Sequence, residues 1–161
     1  MSDDFTSLLE RLAQAGVEFV LVGGFAGVVY GCTYVTQDID ICCDFSTANL
    51  LALQNTIRDL QPVHRMTPNK QRLRLTEENC SEFNNLYLDT KIGQLDCLSL
   101  IDGVGDYEQV KKASRIMNLG KVKIRVLNLD ALIKAKKAMN RPRDKQAIIQ
   151  LKAIKKLKEK K

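Results

Sequence analysis

Two short patterns in the first quarter of the chain carry side chains that could do chemistry. The first is Thr36-x-Asp38-Ile-Asp40. In a strand, successive side chains point to opposite faces, so Asp38 and Asp40 share one face while Ile39 and Ile41 take the other, toward a core. At a rise of roughly 3.3 Å per residue the two aspartate Cα atoms lie about 6.7 Å apart. Carboxylates at that spacing can share hard divalent cations such as Mg²⁺ or Mn²⁺, which take oxygen ligands. Burying them side by side without a partner is costly, so the pattern asks for a cation or for solvent. The same alternation also fits an edge strand with a polar face.

The second pattern is Gly23-Gly24. Without Cβ atoms, two glycines let a ligand approach the backbone closely, and a helix beginning there would aim free N–H groups and its dipole at a phosphate. A tight strand-to-helix turn with no ligand explains the pair equally well. The chain has no G-x-x-x-x-G-K-[ST] and is no P-loop protein. Val22 stands where the first glycine of G-x-G-x-x-G would be, although Asp44, about twenty residues on, keeps a dinucleotide-binding reading open.

Other chemistries are poorly supplied. His64 is the single histidine, so a two-histidine zinc site is impossible and any Ser-His or Cys-His engine would rest on one residue in a loop-like stretch. The five cysteines Cys32, Cys42, Cys43, Cys80 and Cys97 include no C-x-x-C pair, and their apolar surroundings point to buried, reduced thiols. What remains is carboxylates and basic groups, and these are unevenly spread. Residues 1–60 hold two basic and eight acidic residues; residues 61–161 hold 23 basic and 11 acidic ones. A net −6 is thus followed by +12, which suits an acidic site for cations beside a basic surface for a polyanion.

The elements that must position these residues follow from periodicity. Phe5, Leu8, Leu9 and Leu12 predict an amphipathic helix ending near Gly16. A buried strand over 18–22 leads into the glycine pair and a small-residue helix to about Tyr30. A second strand spans 38–43, and Ser46 caps a helix carrying Leu50, Leu53, Ile57 and Leu60. The stretch 61–84 is polar and weakly patterned. Strands over 85–90 and 94–100 form a hairpin around Lys91-Ile92-Gly93, which argues against repeated βαβ units. A loop at Asp102-Gly-Val-Gly, a short helix over 107–113 and a strand around Val122, Ile124 and Val126 follow. A helix from Asp130 to about Met139 is broken at Arg141-Pro142, and a last helix begins near Arg143. The 161 residues suit one domain. The longest nearly apolar run, Phe19 to Cys32, has 14 residues with four glycines, too short to span a membrane. The acidic start Met-Ser-Asp-Asp is unlike a basic leader, so the expected compartment is the cytoplasm. Residues 152–161 form a basic helix end or tail beyond a domain at 1–151, able to attract RNA electrostatically or merely to solubilise.

Gly23-Gly24 followed by Thr36-x-Asp38-Ile-Asp40 resembles the nucleotidyltransferase superfamily with the DNA polymerase beta-like palm. Within it the chain is most similar to small bacterial minimal nucleotidyltransferases and abortive-infection AbiEii-type proteins. The resemblance covers roughly residues 8–151 and implies an α/β (α+β) fold, a small mixed sheet with helices packed on it. It also implies a third carboxylate on a later strand, matched by Asp96 in Gly93-Gln-Leu-Asp96-Cys-Leu, and a helix matched by Leu129 to Asp144. By that resemblance Asp38, Asp40 and Asp96 hold Mg²⁺ or Mn²⁺ and are catalytic. Gly23, Gly24, Thr36, Lys136 and Arg141 contact the nucleotide phosphates, and Asp144 orients them. Tyr34 stands where relatives often carry an arginine. The implied activity is transfer of NMP from an NTP such as ATP to a protein, RNA or small-molecule acceptor. The alternative is a non-catalytic nucleotide- or RNA-binding member of a toxin–antitoxin-like pair. The implied partners are therefore an NTP, an RNA or protein acceptor and a partner protein or second copy, and no membrane.

Overall fold

The computed structural model describes residues 2–159. Along the chain run α1 (Ser2–Gln14), β1 (Phe19–Val22), α2 (Gly23–Tyr30), β2 (Asp38–Cys43), α3 (Thr47–Ile57), β3 (Val63–His64), β4 (Asn85–Thr90) and β5 (Gly93–Leu98). These are followed by β6 (Leu100–Ile101), β7 (Gly105–Asp106), α4 (Tyr107–Lys112), β8 (Ser114–Leu119), β9 (Val122–Leu127), α5 (Leu129–Met139) and α6 (Lys145–Glu159). Seven strands form one mixed sheet in the order β3-β4-β5-β2-β1-β9-β8, while β6 and β7 pair separately.

Alternation decides which side chains enter the core. Ile39 and Ile41 of β2, Leu95 and Cys97 of β5, and Leu86 and Leu88 of β4 are all buried. They join one cluster with Leu8, Leu9 and Leu12 from α1 and Leu50, Leu53 and Ile57 from α3. Each such side chain removed from water stabilises the fold by about 1.5–3 kcal/mol. Caps fix the helix entries. The Ser46 side chain accepts from the Asn49 N–H to start α3, and Asn128, two residues before the predicted start at Asp130, accepts from the Ala131 N–H to start α5. No helix among the described residues is long and apolar enough to cross a membrane.

The departures from the sequence expectations are local. Strand β5 ends at Leu98, and Leu100 and Ile101 pair instead with Asp106 and Gly105. Gly93, expected in the turn, already pairs with Thr90, leaving Lys91-Ile92 as the two-residue connection. Strand β8 has no counterpart in the sequence reading. It lies at the sheet edge with Arg115, Ile116 and Asn118 exposed, so it lacks the alternation of a half-buried strand. Within 61–84, Leu73 and Leu75 are buried, and the buried Gln54 amide exchanges hydrogen bonds with the Leu75 backbone. His64 belongs to β3 and stacks on Phe83, its pKa lowered by burial. The dinucleotide-binding alternative fails because β1 and β2, which flank α2, run antiparallel rather than forming a parallel βαβ unit. All five cysteines are free and buried.

Candidate active site

Strand register builds the site. The antiparallel pairing of β1 with β2 sets Val22, and hence the glycine pair, beside Asp40. The parallel pairing of β2 with β5 sets Asp40 opposite Asp96 and Asp38 opposite Gln94. Directly opposed residues point to the same face, so the three aspartates converge. Each offers one carboxylate oxygen, and these oxygens lie within 4.8 Å of one another.

This convergence has an electrostatic cost. Burial and then the charges of Asp38 and Asp96 push the Asp40 carboxyl up to about 7, with Lys136 pulling it back. Burial also raises Asp96, against the lowering effect of Arg65. Three mutually repelling oxygens from carboxylates are a hard donor set, suited to Mg²⁺ or Mn²⁺ and unsuited to soft metals. The backbone makes room for it: a Cβ on Gly23 would overlap the Asp40 carboxylate. The residues therefore fit a divalent cation.

The other expected residues fall into two groups. Gly24 and Thr36 belong to the same corner. A Cβ on Gly24 would stand 3.1 Å from the Thr36 hydroxyl, which itself donates to the Asp38 carbonyl at 3.0 Å. Tyr34 donates from its hydroxyl to the Gly24 carbonyl at 3.0 Å and fills the space over Gly27. Lys136 and Arg141 converge on the buried Asp144. Lys136 Nζ lies 3.2 Å from its Oδ1, and Arg141 reaches both oxygens, at 2.7 and 3.1 Å. Burial works to raise the Asp144 carboxyl, but Arg141 and Lys136 outweigh it and hold it below its ordinary value. Lys136, Lys137, Arg141 and Lys145 line a cleft of about 530 Å³, and Lys136 links it electrostatically to Asp40.

Arg65 is the residue the sequence did not mark. It sits just past β3 in the weakly patterned stretch and donates from Nη2 to Asp96 Oδ1 at 2.7 Å. Neither its spacing nor its neighbours His64 and Met66 distinguish it from the other basic residues of the second half.

No protein-family model matches the chain, and no curated protein sequence does. Several solved structures are similar to it, including the following two. One is a lincosamide antibiotic adenylyltransferase, LnuA, bound to lincomycin, with TM-score 0.65 and 18% identity over 96% of this chain and 98% of that one. The other is ANT(2″)-Ia in complex with adenylyl-2″-tobramycin, with TM-score 0.56 and 12% identity over 89% and 83%. Neither is an abortive-infection protein, and that narrower likeness gains nothing from them. The mixed sheet, its helices and these two structures together establish that the chain shares the fold of these two proteins, the fold that the nucleotidyltransferase resemblance implies.

Proposed function

We propose that this protein is a divalent-metal-dependent nucleotidyltransferase that moves NMP from an NTP to a hydroxyl group of a small molecule. The observation that carries this reading is the convergence of Asp38, Asp40 and Asp96 beside Gly23-Gly24. Bound Mg²⁺ or Mn²⁺ would neutralise the triphosphate and lower the pKa of the acceptor hydroxyl. Asp38, Asp40 and Asp96 would hold the metal. The backbone N–H groups at Gly23 and Gly24 and the Thr36 hydroxyl would position phosphate oxygens. Lys136, near Asp40, would counter charge developing in transfer, positioned by Asp144, which Arg141 in turn anchors. The acceptor oxygen would attack the α-phosphorus as its hydroxyl proton is lost to solvent, the bond between the α-phosphorus and the oxygen bridging to the β-phosphate would break, and pyrophosphate would leave.

Two similar structures, described with lincomycin and with an adenylylated tobramycin, favour a small-molecule acceptor and ATP as donor over a protein or RNA acceptor. The test is to offer each α-labelled NTP with Mg²⁺ and a panel of hydroxyl-bearing small molecules, lincosamides and aminoglycosides among them. Labelled small-molecule product supports the reading. Salt-sensitive RNA binding with no turnover of any NTP would replace it by the non-catalytic alternative.

A further inference from the structure

One row of residues crosses the sheet: Asp40 on β2 faces Asp96 on β5, Asp96 faces Tyr87 on β4, and the Arg65 N–H bonds the Tyr87 carbonyl at 2.8 Å. Asp96 is thus flanked on one side by the other two carboxylates and approached from the opposite side by a guanidinium.

That guanidinium is itself held. Nη1 donates to the Leu88 carbonyl at 3.1 Å, Nη2 donates to Asp96 Oδ1 at 2.7 Å, and the group lies 5.9 Å from the Tyr87 ring centroid. The Arg65 and Asp96 side chains are 19% and 11% exposed, so the pair is sheltered from the screening that makes surface ion pairs worth little. Planar fork geometry allows one side chain to bridge a carbonyl and a carboxylate; a lysine ammonium is a point donor on a flexible stem.

We infer that Arg65 is a positioning residue: anchored on β4, it engages Asp96 Oδ1 and so fixes how that carboxylate is presented to the site it shares with Asp38 and Asp40. This rests on the reading of the three aspartates as metal ligands. Hydrogen-bond partners of ligating carboxylates orient them, and losing one typically costs 10–100-fold in metal affinity or activity. A bare electrostatic role predicts the reverse for the metal, because a nearby guanidinium repels a cation and its removal would tighten binding.

The experiment compares the full-length wild type with Arg65→Ala and Arg65→Lys by titration with Mn²⁺ alone, followed by the signal of free Mn²⁺, and by steady-state transfer kinetics. The expected result is Mn²⁺ binding about tenfold weaker in both variants. In the same variants kcat should fall about 10–100-fold while KM for the NTP stays within about threefold. Arg65→Lys keeps the charge without the fork, so it should resemble Arg65→Ala rather than the wild type; it also serves as the readout should Arg65→Ala not fold. Mn²⁺ binding that is unchanged or tighter in the variants would overturn the inference, as would a lowered unfolding midpoint with wild-type metal affinity. The Mn²⁺ titration needs no turnover, so a wild type that binds Mn²⁺ but transfers no nucleotide would contradict the proposed function without touching the result for Arg65.

Discussion

The Asp40 carboxylate occupies the space that a Cβ on Gly23 would fill, and Gly23 itself has φ 70°. Position 23 is therefore restricted twice, once by backbone conformation and once by the Asp40 side chain packed upon it. The glycine pair and the aspartate pair, separated in sequence, are one structural unit.

Gly23→Ala should accordingly do more harm than Gly24→Ala. The left-handed conformation alone costs a non-glycine residue about 1–3 kcal/mol, and the methyl group must also push Asp40 aside. Gly24 has no such φ and would crowd only the Thr36 hydroxyl. Urea unfolding should show the larger loss for Gly23→Ala, and Mn²⁺ binding should weaken in that variant.

Asp144 is 3% exposed and holds two cations, so its removal strands both. Breaking such a buried pair costs about 3–5 kcal/mol, and the lower end applies because the Arg141 side chain is a third exposed. Asp144→Ala should therefore lower stability by about 3 kcal/mol in chemical denaturation. Lys136→Met should cost less, since Arg141 still pairs with the carboxylate.

The raised pKa of Asp40 gives the metal-free protein a specific pH dependence. An ordinary aspartate, such as Asp40 in the unfolded chain, loses its proton near 3.8, whereas in the folded protein Asp40 keeps it until about 7. Between these values the folded state binds more protons, so this group's contribution to stability is full below the lower value and is lost as pH rises through about 7. With metal chelated, the stability of Asp40→Asn relative to wild type should climb across that window and then level off. Thermal unfolding at a series of pH values checks this.

Tyr34 and Gly27 should behave as a coupled pair. A Cβ on Gly27 would overlap the Tyr34 hydroxyl, which bonds the Gly24 carbonyl. Gly27→Ala should destabilise by about 1–3 kcal/mol through overpacking. Adding Tyr34→Phe removes the clashing oxygen, so the double variant should be more stable than Gly27→Ala alone. A double-mutant cycle by urea unfolding measures the coupling.

Local pattern made part of this site legible. Asp38 and Asp40 alternate with Ile39 and Ile41, and the observed strand carries the two pairs on opposite faces as strand geometry requires. Asp96 was a different matter. Nothing near it declares a ligand, and it entered only through resemblance, because its position depends on the parallel pairing of β2 with β5, a contact between segments far apart in sequence. Arg65 was illegible for the same reason, since its partners Leu88, Tyr87 and Asp96 all lie on β4 and β5. Strand β8 escaped notice because an edge strand buries too little to impose a two-residue rhythm.

The central claim is that Asp38, Asp40 and Asp96 hold the metal for nucleotide transfer. Its most direct test is label transferred from an α-labelled NTP by wild type, Asp38→Asn and Asp40→Asn, each with Mg²⁺ and with the ion chelated. The account predicts labelled acceptor from the wild type only when Mg²⁺ is present, and background labelling from both variants. Transfer that persists in Asp40→Asn, or in wild type after chelation, would contradict it.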